Sequence, residues 1–407
     1  MPDPAKLELL TRTADDEGFH LVEIDSNYVY WSFKPQRLPQ TEWELTAQPF
    51  GADGARNYVL KSLRQERYLL LDSKEFFLWE CFDGRHSLEE IARAFHISNG
   101  AFDYSLIRQL LTKLYGCGLI ETNNITDLQP SLAGAQPYLW TRHLTSGLRT
   151  LRRISFKIPD ADRLCSIIYR RGGFLLFHPI AFWLSVTIAV VAFVLAVRLA
   201  PHAGNFASHL KAQPFLITGA MLVTLLLVSM LHVLFHALAC KAYGRRVREM
   251  GFFLLQGVLP TWYADVTDIF MASRRARIMV DLAGPMVEVV LGSFAIVGAH
   301  GASAGFGQAL LFGIGVMLWE SALINLYPFN FLEMDGYNIL ADLLAVPMLR
   351  QQALALIPNL AQRLRSVKTV ERAEWLQLGY LALCLVSVLL YVIAHLDAVG
   401  SLLHFSQ

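Results

Sequence analysis

Five stretches long and apolar enough to cross a bilayer all lie after residue 172: Phe174 to Val197, Pro214 to Cys240, Ile278 to Ala299, Gln308 to Leu326 and Leu376 to Leu396. A helix rises about 1.5 Å per residue, so about 20 apolar residues match the hydrocarbon core of a membrane. A chain with five such runs cannot fold as one ordinary soluble globule. Residues 1 to about 172 hold no run of this kind and many charges, which predicts a cytoplasmic soluble part ahead of a membrane part. The opening MPDPAKLELLTRTADDEG has acidic residues and no apolar core, so no secretory signal is expected there.

Composition agrees. Apolar residues make up 54% of the chain and charged residues 17%, against about 25% charged in an ordinary soluble domain, and the mean hydropathy is +0.38. The 35 Lys and Arg are balanced by 34 Asp and Glu. Nothing in that balance fits a phosphate-backbone binder, so the bilayer is the expected partner and nucleic acid is not. Cys81, Cys117, Cys165, Cys240 and Cys384 are far apart with no CxxC pair, and are expected to be free thiols rather than a disulfide framework or a thiolate zinc site.

The basic loops give an orientation. Arg142, Arg149, Arg152, Arg153, Lys157, Arg163, Arg170 and Arg171 precede the first span, Lys241 to Arg248 and Arg274 to Arg277 lie between the second and third, and Arg350 to Arg372 carry more between the fourth and fifth. The alternate loops hold only Arg198 and Lys211. Positive charge stays inside, so the amino terminus is expected in the cytoplasm and the carboxyl terminus outside a bacterial-type inner (plasma) membrane. GFFLLQGVLPTWY, Gly251 to Tyr263, is apolar but too short to cross and is interrupted by Gly257 and Pro260. Non-helical backbone at membrane depth needs shelter, so a re-entrant strand or loop is expected.

Near the inner end of the second span stands HVLFH, with His232 and His236 at i and i+4 on one helix face. An isolated pair of this spacing is more often two hydrogen-bonded side chains than a metal site. An ionisable group within a span is costly, however, and is a functional candidate by default. The fourth span ends in NLYPFNFLEMDGYNILADLL, Asn325 to Leu344, where Pro328 breaks the helix and Asp335 precedes Gly336. Asp-Gly is also a common turn dipeptide. Both segments end on the inner side, which puts Asp335 at the depth of the histidine pair. Two histidines and an aspartate can bind Zn2+ and leave its fourth position open.

These residues resemble the site-2 protease family of intramembrane zinc metalloproteases, in its peptide zinc metalloprotease branch. HVLFHALACKAYG, His232 to Gly244, is similar to the family's HExxH motif. MASRRARIMVDLAGPMVEVVLG, Met271 to Gly292, is similar to the stretch around its third motif, and Asn325, Pro328, Asp335, Gly336 and Tyr337 to its NxxPxxxxDG motif. The resemblance covers roughly residues 215 to 350 and implies a site-2-protease-like core over 214–345 within a membrane domain over 173–407. It implies His232, His236 and Asp335 as zinc ligands.

One departure concerns the chemistry itself. Val233 stands where the family has the glutamate that moves protons to and from zinc-bound water. Such a shuttle contributes on the order of 100- to 10,000-fold, and a valine cannot replace it. Glu333, Glu320 and Glu288 are the candidate substitutes, with Glu333 closest in sequence to Asp335. Each also has a plain reading, Glu333 as a solvated loop charge and the other two as polar contacts between helices. Asp265 and Asp268 are expected to order the cytoplasmic entrance. The segment from Pro328 to Asp335 is about two residues longer than the family's.

Residues 64–125 have an organisation of their own. RYLLLDSKEFFLWECFDG reads as a strand, a turn at Asp72 and Ser73, and a helix with Phe76, Phe77 and Trp79 inside. Ser87 to Glu90 forms a capping box that opens an amphipathic helix, Asp103 to Leu114 a third helix, and GCGLIET a closing strand or turn. The fold class is thus an α-helical polytopic membrane protein of about five spans with an N-terminal soluble α+β winged-helix domain. Arg108 and Lys113 make no dense basic stripe for DNA. The leucine-rich strand, the aromatic helix, DGRHSLEEIA and GLIE resemble PqqD-like peptide-recognition domains, a resemblance that implies a peptide added as an extra strand; a purely structural domain is the alternative. VYWSF and NYVLKS in residues 1–63 suggest strands. Residues 126–172 read as a linker and a basic juxtamembrane segment, either solvated or lying on anionic headgroups.

The readings that compete are two. One is a zinc protein that holds a peptide or membrane-associated peptide for maturation or export, impaired in proteolysis by Val233, possible partners being peptide-modifying enzymes or an exporter of which it is an assembly subunit. The other is an active intramembrane protease that uses a different carboxylate as base.

Overall fold

A computed structural model gives the fold and describes residues 6–11, 20–25, 31–50, 56–99, 104–121, 155–255, 259–329, 332–346, 348–357 and 372–404. The chain divides into two units, residues 1–50 with 54–144, and 51–53 with 145–407.

In the first unit, β1 (Lys6–Thr11) and β2 (His20–Asp25) form an antiparallel pair. A separate meander follows, with β3 (Trp43–Phe50), β4 (Arg56–Ser62) and β5 (Arg67–Leu71) antiparallel in sequence order. The sheet beside the helices therefore draws strands from upstream of residue 64. NYVLKS lies in β4 as expected, whereas VYWSF is helical at Trp31 and Ser32. Asp72 does more than turn the chain. Its side chain accepts from the backbone N–H of Glu75 at 2.7 Å while its own N–H donates to Glu75 Oε2 at 3.2 Å, a capping box that starts α1 (Ser73–Glu80).

The same device starts α2 (Leu88–Asn99), where Ser87 and Glu90 exchange hydrogen bonds at 2.8 and 3.3 Å. With α3 (Tyr104–Gly116) these helices bury Trp79, Phe82, Ile91, Phe95, Ile107 and Leu110 against Leu60 and Leu71 of the sheet. Isolated bridges from Gln36 to Asp83 and from Arg37 to Ile120 tie the flanking segments to this core.

The second unit begins with β6 (Ser155–Ile158) and the amphipathic α4 (Ala161–Arg170), followed by α5 (Pro179–Leu199) and α6 (Ala203–Lys211). The long α7 (Pro214–Ala242) leads to the hairpin of β7 (Glu249–Leu255) and β8 (Leu259–Asp265), then to α8 (Arg274–Gly301) and α9 (Phe306–Leu326). The short α10 (Asp335–Leu344) and α11 (Leu349–Leu356) precede α12 (Arg372–His404). Five helical segments among the described residues are long and apolar enough to cross a membrane: Pro179–Lys211, Pro214–Ala242, Arg274–Gly301, Phe306–Leu326 and Glu374–Ile393. They coincide with the five expected runs. The bent pair α10 and α11 makes up to six if it counts as one further span.

The apolar segment Gly251 to Tyr263 is a hairpin where it is described, and Gln256 to Val258 lie outside the described residues. Its second partner comes from far upstream, since β6 pairs antiparallel with β7 from Ser155↔Phe253 to Ile158↔Met250. The basic loops are knitted to acids. Asp162 accepts from Lys241 Nζ at 2.7 Å and from the Val247 N–H at 2.9 Å. Asp265 accepts from Arg248 at 3.0 Å, and buried Asp268 from the Arg246 N–H at 3.0 Å.

Candidate metal centre

The centre of the second unit is α8, which packs against α5, α7, α9 and α10. It is buried along much of its length because it carries small residues where its neighbours approach. Gly284 is the sharpest case. A Cβ built on it would overlap the Nε2 atoms of both His232 and His236. The AGP sequence thus lets α8 lie directly against the histidine pair of α7, and Pro285 costs the Asp281 carbonyl its helical hydrogen bond at that level.

Three ligand atoms converge there. His232 Nε2 and His236 Nε2 are 2.9 Å apart. Asp335 Oδ2 lies 3.2 Å from His232 Nε2, and Asp335 Oδ1 lies 3.5 Å from His236 Nε2. One atom from each of His232, His236 and Asp335 falls within 4.8 Å of the others, a spacing compatible with one ion.

The chain delivers Asp335 through three constraints. Pro328 forces Tyr327 into an extended conformation, ending α9 at Leu326. Two packing features then place α10. Gly336 lies so close to Leu326 that a Cβ would overlap its carbonyl, and Asp342 receives the Arg277 guanidinium at 2.6 to 3.0 Å. Asp335 is the first residue of α10 rather than part of a free turn.

The outer ring nitrogens decide what the inner ones can do. His236 Nδ1 lies 2.7 Å from the backbone carbonyl of Val280, which only accepts, so Nδ1 carries the hydrogen. His232 Nδ1 lies 2.7 Å from Glu288 Oε1, again an acceptor. With Nδ1 carrying the hydrogen in each ring, Nε2 is the nitrogen left to bind a cation, and the two Nε2 atoms face each other and a carboxylate, an assignment that follows from the hydrogen-bond network. Lone pairs at this distance repel unless a cation lies among them. The donor set fits zinc, which takes imidazole nitrogen and carboxylate oxygen in a tetrahedral shell and keeps a position open in catalytic sites.

The other expected residues separate clearly. Val233, beside His232, packs against the apolar cluster of Ala161, Cys165, Ala237 and their neighbours. Glu333 is partly exposed, at 43%, and its Oε1 receives Arg350 Nη2 at 2.5 Å and Gln351 Nε2 at 3.2 Å. Glu320 is exposed on α9. Glu288 is only 5% exposed, but it faces Nδ1 of His232, on the far side of the ring from the converging nitrogens.

A carboxylate missed from the sequence is Asp281. It stands one turn before Gly284 on the same face of α8, half-buried, with Asp335, Asp342 and Arg277 as electrostatic neighbours. The i, i+3, i+7 spacing of Asp281, Gly284 and Glu288 was the available signal.

Among curated proteins, a stretch of 118 residues, 28% of this chain, is 31% identical to the "Putative peptide zinc metalloprotease protein YydH" of Bacillus subtilis (strain 168). The match spans 44% of that protein, so less than half the length of this relative is represented. No protein-family model matches the chain. No solved structure matches it. The relative's name and the five apolar helices support a metalloprotease-like membrane protein.

Proposed function

We propose that the chain is a membrane-embedded, site-2-protease-like zinc protein that holds a peptide, or acts on it weakly, during peptide maturation or export. The convergence of His232, His236 and Asp335 carries this reading. Bound there, zinc would supply Lewis acidity toward a peptide carbonyl and lower the pKa of a water ligand to about 7. His232 and His236 offer unprotonated nitrogens, Asp335 offers the charge, and Gly284 keeps the approach of α8 free of side chain. No proton can be held or moved at residue 233, because Val233 has no group for it.

The proposal extends outward from the site. The amino terminus lies in the cytoplasm and the carboxyl terminus outside an inner membrane, so the basic loops face inward. The first unit is a PqqD-like module that presents a peptide as an added strand, and peptide-modifying enzymes or an exporter are the partners that such a role requires.

A second reading, an active protease with a relocated base, is favoured by Asp281. It is a carboxylate on the face of α8 that packs on the ligands, and unlike Glu288 it is not spent on His232. One assay separates the readings. Zinc-loaded protein in lipid nanodiscs is incubated with a proteome-derived peptide library, and cleavage is read by mass spectrometry for wild type, Val233→Glu and Asp281→Asn. The main reading expects little wild-type cleavage and a gain in Val233→Glu. Robust wild-type cleavage that Asp281→Asn abolishes would replace it with the second.

A further inference from the structure

Glu288 is buried within a helix long and apolar enough to cross a membrane, a costly place for a carboxylate unless its oxygens are occupied. They are. Oε1 accepts from His232 Nδ1 at 2.7 Å, and Asn325 Nδ2 lies 3.3 Å from each carboxylate oxygen. The three partners come from three helices: His232 from α7, Glu288 from α8 and Asn325 from the last turn of α9. Asn325 stands just ahead of the Tyr327 and Pro328 break that leads to Asp335. One carboxylate therefore touches one histidine directly and holds the root of the segment that brings the aspartate.

We propose that Glu288 is the positioning residue of the metal centre: it fixes the Nδ1–H tautomer and ring angle of His232 and, through Asn325, anchors the segment that carries Asp335. The inference rests on the zinc reading above and deepens it. Its physical basis is that a metal-bound imidazole must present one bare nitrogen at a set angle, and an acceptor on the opposite nitrogen selects that form. Loss of such a partner typically weakens metal affinity by about 10- to 100-fold. Glu288 is not a proton shuttle in this arrangement. Oε1 meets the Nδ1 edge of the His232 ring, away from the Nε2 edge on which the ligand atoms converge.

The role differs from simple packing in what it moves. Helix packing alone predicts a change in folding stability and leaves the metal's ligand geometry as it was. A positioning role predicts weaker metal binding and an altered ligand field, with partial rescue by a variant that can still accept from His232.

The test titrates Co2+ and then Zn2+ into detergent-purified full-length wild type, Glu288→Gln and Glu288→Ala, reading the visible ligand-field bands of cobalt, the dissociation constants, and melting with and without chelator. Gln keeps the volume and one acceptor oxygen, so it remains informative if Ala fails to fold. The expected result is a wild type that binds both ions, a loss of about 10- to 100-fold for Ala with shifted cobalt bands, and a smaller loss for Gln, with chelated melting unchanged in Gln. Wild-type affinity and wild-type cobalt bands in every variant that folds would overturn the role of Glu288 while leaving the zinc reading intact. A wild type that binds neither ion would overturn the zinc reading itself, and this inference with it.

Discussion

His232 Nε2 lies 3.2 Å from Asp335 Oδ2, although two apolar helices separate the residues along the chain. A carboxylate and an imidazole at this distance within a bundle of long apolar helices need a positive charge between or upon them. The second histidine at 2.9 Å makes a metal ion the better occupant than a proton, since two nitrogens and an oxygen converge on one point.

The closeness of α8 to that point gives a prediction at Gly284. A methyl group there would overlap both Nε2 atoms, so Gly284→Ala must push α8 away or turn the rings. Overpacking of this kind costs about 1–3 kcal/mol, and misdirected ligands lose on the order of 10- to 100-fold in metal affinity. Titration calorimetry with zinc on the purified variant checks this. An Ala variant with undiminished affinity would mean that α8 does not press on the ligands.

A second prediction concerns the seat of α4 against β7. Cys165 is fully buried with its sulfur 3.3 Å from that of Met250. Burial, and after it the Asp162 carboxylate, pushes its thiol up to about 11. At pH 8 roughly one such thiol in a thousand is ionised, so iodoacetamide should modify Cys165 more than about 100-fold more slowly than a free cysteine. Peptide mapping over a labelling time course gives the rate. Labelling at the speed of a solvent thiol would show that α4 is not packed on β7.

In the first unit, Asp83 sets up a pH dependence. A small burial penalty is outweighed by the N–H groups of Arg85 and His86 and by the His86 ring, which hold its carboxyl down to about 2 from an ordinary 3.8. A carboxylate depressed in the folded state stabilises the fold fully above its unfolded value and loses that contribution as pH falls through the folded one. The loop that leads into α2 should therefore keep its protection above about pH 4 and lose it towards pH 2. Hydrogen exchange over residues 83–95 should find Asp83→Asn less protected than wild type at pH 6 and equal to it near pH 2. Equal protection at both would remove Asp83 from the account.

What the sequence revealed follows the range of the physics involved. The five long apolar helices were legible because each is a local property of about 20 residues, and the Ser87 to Glu90 box because it closes within one turn. The histidine pair was legible from its spacing, and Asp335 was singled out by a depth expected from the basic loops; the structure brings the three side chains together. The strand β6 was not, since Ser155 to Ile158 is too short to show a pattern and its partner lies beyond two apolar helices. Asp72 read as a turn residue because its capping role depends on an exchange with Glu75 that the turn signal hides. Glu288 was visible only as a polar group in a span; its meeting with His232 and Asn325 is made by helix packing, which no single segment encodes.

The most direct test is the metal content of the full-length protein purified without added chelator. Inductively coupled plasma analysis should find about one zinc per chain in wild type and none above background in His236→Ala, because two remaining ligands do not hold the ion. A wild type that carries no zinc and takes up none on titration would contradict the account.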